Sequence, residues 1–248
     1  MGINIYIQPP RDDINSNIDL IKLLIKELSL IYDLFLKRLN ELKSEDIIEN
    51  KDIPKPNFFF RSFEYDFSDV TLSVLFKSYL FIIRQAIEKI FRVIYQSRQI
   101  LGYDKVKNSI PDLSKSSNFG KNFEKLLKDQ YDYDNDILNL LKKWSDIIIV
   151  TRIIRNALKT QASFKIWIIY HENKREVKII CPLLPRERND PTLRLIKQPM
   201  SSPPDKIKNF ILEPSIMGTG ISMIQEFYYI FLQKIPKGKI SNNDNLNT

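Results

Sequence analysis

Between Ser68 and Leu101 apolar residues return at three- and four-residue steps without a break: Leu72, Leu75, Phe76, Tyr79, Leu80, Ile83, Ala86, Ile87, Ile90, Phe91 and Ile94. That period belongs to an α-helix with one stripe turned inward. Lys77, Arg84, Glu88, Lys89 and Arg92 lie on its other side. At about 1.5 Å per residue such a helix is ~45 Å long. It is the spine of a bundle, and the remaining elements have to wrap around it. Ser68 or Asp69 can cap its start, and Gly102 is placed to end it.

The same spacing recurs elsewhere. Leu20, Leu24, Leu28, Ile31, Leu34 and Leu42 mark a helix over residues 18–42, with Ser16 or Asn17 as its cap. Ile137, Leu140, Leu141, Trp144, Ile147, Ile148, Ile154 and Leu158 predict a single helix over 136–159. Phe119 to Leu127 is a short amphipathic piece, and a last helix runs from Gly218 to Ile235, with Met217-Gly218-Thr219-Gly220 as the turn before it. Two strand-like runs, Phe164 to Tyr170 and Glu176 to Cys181, flank a polar turn and read as a β-hairpin. Pro54 and Pro56 forbid a helix before Asp69, so Phe58, Phe59, Phe60, Phe63, Tyr65 and Phe67 are expected to pin a connecting loop to the core. Residues 182–204 are expected to be irregular, and residues 236–248 a disordered tail. The expected fold is mainly α, a helical bundle with a small β-hairpin appendage.

Composition narrows the chemistry. Apolar residues make up 43% of the chain and charged residues 27%, the balance of a globular protein. Charged residues interrupt each hydrophobic stretch, so no membrane span is expected. The N-terminus carries no secretory signal, and Tyr6 stands where a myristoylation signal has Ser or Thr. A cytoplasmic location is the expectation. Cys181 is the only cysteine and His171 the only histidine, which excludes an intramolecular disulfide, a multi-cysteine zinc site and any mechanism with two histidines. Cys181 is expected to be buried. Asp132, Asp134 and Asp136 alternate as in a calcium loop, but the glycine and the glutamate such a loop needs are missing. No metal, cofactor or catalytic residue is expected. The net charge of +8 favours an acidic partner, although a Lys-, Ile- and Asn-rich composition of the kind AT-rich genomes produce raises it without one.

One segment gathers charge at helical spacing. Arg152, Arg155, Asn156 and Lys159 share a face, with Ile154 and Leu158 opposite. Guanidinium forks can hold phosphate or carboxylate in bidentate fashion, so these four are the candidate binding residues. The alternative is a solvated face whose cations are favoured by the helix C-terminus. Arg84 and Glu88 read as a surface i,i+4 pair.

A long helix followed by one ending in Arg155-Asn156 resembles the HEPN superfamily, over about Ser68 to Thr160. The resemblance implies an all-helical core at 68–160, which the helix and loop at 1–67 and the hairpin, loop and C-terminal helix at 161–235 flank. It also implies a homodimer formed through the helices that carry the motif, and in active members a metal-independent ribonuclease using Arg and His. Here Thr160 stands where that His would fall, and His171 lies beyond the helix. Without an imidazole, acid–base work on an RNA hydroxyl loses its usual agent. The expectation is therefore a non-catalytic module binding RNA, a nucleotide or a partner protein. A structural or protein-interaction role with no nucleic acid is the alternative, and Arg155 buried against Glu88 would favour it.

Overall fold

A computed structural model describes residues 13–42, 63–67, 69–103, 107–114, 118–159, 165–171, 174–183, 185–196 and 209–235, with backbone alone for 63–67, 165–171, 174–176 and 209. The expected aromatic anchor Phe58 to Phe60, Thr160 and the tail beyond 235 lie outside these residues. The fold is mainly helical, a bundle with a small antiparallel sheet. In order come α1 (Ile14–Glu41), β1 (Phe63–Phe67), α2 (Val70–Ser97), α3 (Phe119–Leu127), α4 (Asn135–Lys143) and α5 (Ser145–Lys159). There follow β2 (Lys165–His171), β3 (Lys174–Pro182), α6 (Pro185–Arg188), a 3-10 turn (Pro191–Leu195), β4 (Asn209–Leu212) and α7 (Ser215–Lys234).

The spine is α2, which is packed by α1, α5 and α7. Asp69 caps it by accepting from Leu72 N–H at 2.7 Å, and the same carboxylate receives the Arg38 guanidinium of α1 at 2.7 and 3.1 Å. At the far end Asn17 donates to Gln96 at 3.0 Å and accepts from Lys89 at 3.0 Å. These ties fix α1 antiparallel to α2 over their whole lengths. Between them the inward stripes meet: Ile21, Leu28 and Phe35 of α1 are buried, as are Phe76, Ile83 and Ile90 of α2. The cap of α1 is Asp13, not Ser16 or Asn17. Ser16 instead donates its N–H to Asp13 at 2.8 Å, and Asn17 is turned into the bundle.

The expected single helix over 136–159 is two. It breaks at Trp144, whose N–H still closes the last turn of α4 while its indole donates to Glu226 of α7 at 2.9 Å. Lys143 reaches the same carboxylate at 2.7 Å. The Asp134 carboxylate caps α4, and both Asp134 and Asp136 take the ammonium of Lys234, so this run holds down the end of α7.

Nor is the hairpin alone. β2 and β3 pair from Lys165 opposite Ile180 to His171 opposite Lys174, and β1 and β4 add an antiparallel strand on either side. β1 lies inside the segment read as a connecting loop, and β4 follows residues 182–204, which are expected to be irregular but hold α6 and the 3-10 turn. In β1, Phe63, Tyr65 and Phe67 alternate with Glu64 and Asp66, a period-two pattern obscured by the run of phenylalanines before it. β4 has four residues, too few for a period to show. Cys181 is buried, as expected, and burial pushes its thiol up to about 12. One described helix, α2, is long and apolar enough to cross a membrane by length and composition. Its apolar stripe is here turned to the protein core.

Gly218 and Gly220 belong to α7 itself and not to a turn before it. At Gly220 the helix lies directly on α2: an added Cβ would sit well inside contact distance of the Tyr79 hydroxyl and of Ile83. That hydroxyl is held in place, donating to the Met217 carbonyl at 2.9 Å. A glycine-to-alanine change inside a helix ordinarily gains up to ~1 kcal/mol. Here overpacking outweighs the gain. Gly220→Ala is expected to lower stability by about 1–3 kcal/mol in urea unfolding, and an unchanged or raised midpoint would contradict the contact.

Candidate anion-binding site

Three guanidinium groups meet where α2 faces α5. Arg152 and Arg155 project from α5, one turn apart, and Arg84 from α2 is near enough to feel the charge of both. Each has a different set of partners. Arg152 donates to Asp190, the cap of the 3-10 turn, at 2.8 Å and lies over the Phe119 ring at 4.6 Å. Arg84 pairs with Glu88 at 2.9 Å, yet only 12% of its side chain is exposed. It is thus not the surface pair read from the sequence. Arg155 stands over the Phe81 ring at 5.8 Å.

Glu88 is engaged by Arg84, so the arrangement that would have favoured a structural role, Arg155 against Glu88, is not the one found. Two cluster nitrogens are left without a hydrogen-bond acceptor among the described residues: Arg84 Nη1 and Arg155 Nε, both buried. A buried donor with no acceptor costs about 1–3 kcal/mol, and more when it is charged. Burial draws the Arg84 guanidinium below its ordinary value, Glu88 opposes this, and Arg152 and Arg155 add to the lowering. An arginine so far from neutral pH stays charged all the same. Within this cluster three positive groups therefore face two carboxylates, Glu88 and Asp190.

Asp190 is held by more than Arg152. Burial opposes its ionisation, but hydrogen bonds from the Thr192 hydroxyl and N–H and from Arg152 outweigh that, and its carboxyl lies below the usual range. The pair fixes α5 against the 3-10 turn.

Of the residues singled out in the sequence, Arg152 and Arg155 enter the cluster. Asn156 is half-buried beside them, and Lys159 is exposed at the end of α5, with no ion pair among the described residues. His171 lies on β2, beyond the helix. Phe81, Phe119 and Asp190 were not legible as partners, because three separate elements bring them in. The one signal was on α2, where Phe81 and Arg84 fall three residues apart on the side away from the apolar stripe. No group of three or more metal-ligating side chains converges among the described residues. Comparison with protein-family models, with curated proteins and with solved structures returns no match.

A carboxyl whose folded pKa is depressed contributes stability above its unfolded value, ~3.9 for Asp, and loses it as pH falls. Asp190→Asn keeps a group that Thr192 can bond but loses the charge facing Arg152. It is expected to cost about 1–3 kcal/mol at pH 7 and to shrink the difference from wild type towards pH 3, read by thermal unfolding across that range. A difference that does not change with pH would contradict the ionised pair.

Proposed function

We propose that the chain is a non-catalytic, HEPN-like module that binds the phosphates of RNA or of a nucleotide at Arg84, Arg152 and Arg155. The observation that carries the reading is the pair of buried guanidinium nitrogens, Arg84 Nη1 and Arg155 Nε, with no acceptor among the described residues. A phosphate oxygen is an acceptor of the right charge and valence for both. Phe81, 45% exposed beside Arg155, offers a face on which a base can stack. The HEPN resemblance, the +8 charge and the Arg155-Asn156 pair support the same ligand class. Thr160 in place of the motif's histidine supports binding without cleavage.

A second reading has its own observation. Arg152 and Arg84 each already hold a carboxylate, as cations do when they serve only to pack helices together. On that reading the chain is a structural or protein-interaction module, and the cluster ties α2, α5 and the 3-10 turn together.

Fluorescence anisotropy with a labelled single-stranded RNA of about 12 nucleotides separates the two. Arg155→Ala is expected to weaken binding at least tenfold and to flatten the salt dependence by ~0.7 for each phosphate the variant no longer holds. Lys22→Ala, on a helix that contributes nothing to the cluster, is expected to change it little. Absence of binding, or equal weakening in both variants, would overturn the phosphate reading.

The same RNA incubated with the wild-type protein is expected to stay intact. Cleavage that disappears in Arg155→Ala would show that another group moves the proton, and would overturn the non-catalytic assignment.

A further inference from the structure

The helix α1 carries a second apolar stripe, on the side away from the core. Leu23, Leu30 and Leu34 are 50%, 60% and 44% exposed, and their spacing of seven and four residues places them in one row. The inward residues Ile21, Leu24, Leu28 and Phe35 bury the opposite side against α2 and α7. A row of leucines at the spacing of a coiled-coil seam is unusual on a solvent-facing helix, since such rows mark packing against another helix.

The charges beside the row say which helix. Along one flank Asp19, Lys26, Asp33 and Lys37 alternate in sign, and all four are exposed. Among the described residues none of Asp19, Lys26, Asp33 or Lys37 makes an ion pair. Laid antiparallel on its own copy about a two-fold axis near Leu28 and Ser29, α1 sets Leu23 against Leu34 of the second copy. In that register Lys26 falls beside the second copy's Asp33, and by symmetry the contact occurs twice. Asp19 falls near Lys37 in the same way. In antiparallel helix pairs the flanking residues of one side meet their own symmetry mates, so an alternating flank is self-complementary. Lys22 and Glu27 complete the surroundings of the row, leaving three acidic and three basic residues and no net charge there. The +8 of the whole chain therefore does not oppose contact along this face.

We infer that α1 is the surface through which two copies of this chain pair, antiparallel, with Leu23 and Leu34 interleaved and Lys26 matched to Asp33. This differs from pairing through the motif helix α5, which the HEPN resemblance implies, and it does not depend on the phosphate site. The seam from Asp19 to Lys37 is about 27 Å long, so two helices in contact bury less than the ~800 Å² per partner of a tight complex. Glu27, which falls opposite Leu30, weakens the seam further. The pairing is accordingly weak and reversible.

Sedimentation equilibrium on the full chain, from about 5 to about 300 μM, tests it. The wild type is expected to pass from one 29.3 kDa chain towards twice that mass. Leu30→Glu changes an exposed side chain, so it is expected to keep the fold, checked by thermal unfolding, and to raise the dissociation constant at least tenfold. Lys26→Asp alone is expected to weaken pairing by a similar factor, and the double variant with Asp33→Lys to restore it. A single-chain mass at all concentrations would overturn the inference. So would a dimer indifferent to Leu30→Glu, or a charge exchange that gives no rescue.

Discussion

Burial of α2 is the constraint from which the rest of the molecule follows. An apolar stripe that long cannot be covered by one neighbour, and α1, α7 and α5 close on it from different sides. Each neighbour is admitted by a local feature: the Arg38–Asp69 pair for α1, Gly220 against Tyr79 for α7. Where α5 closes, the flank of α2 bears Phe81 and Arg84, and packing draws Arg84 out of water with its charge intact. A cluster of guanidinium groups is the consequence of covering that side of the helix with a helix that also carries arginines.

The cost of that arrangement is what makes it informative. A chain selected only for stability could place an apolar residue or a lysine with a free stem at position 84. Instead a planar, permanently charged fork is kept nearly buried, with one nitrogen left over, next to a second arginine in the same condition. Buried ion pairs are weak contributors to stability, and like charges brought together detract from it. On the proposed reading, an anion in the cluster would offset the repulsion among the three cations.

Most of the fold was legible because helical period is a strong signal when the stripe is long, as in α1 and α2. What escaped were features decided by tertiary contact. The break at Trp144 interrupts no period; it shows only in the indole reaching Glu226 of α7, far along the chain. β1 was hidden by neighbouring prolines and phenylalanines, and its pairing with β2 spans about a hundred residues of sequence. The glycines of α7 read as a turn, since glycine usually breaks helices, whereas Gly220 is required by the approach of Tyr79. At the site, Arg152 and Arg155 could be placed on one helix face from spacing alone. That Arg84 is their neighbour, and that Asp190 claims Arg152 while nothing described claims Arg155 Nε, depends on the packing of α2, α5 and the 3-10 turn.

The claim that the arginine cluster is an anion site is tested most directly at the nitrogen concerned. Side-chain Nε–H resonances of arginine can be followed by NMR while adenosine monophosphate is added, with the Arg155 signal assigned by its loss in Arg155→Lys. The account expects that resonance to move saturably with the nucleotide, and to move much less with adenosine, which lacks the phosphate. A signal that stays in place up to millimolar nucleotide, or that responds equally to adenosine, would contradict it.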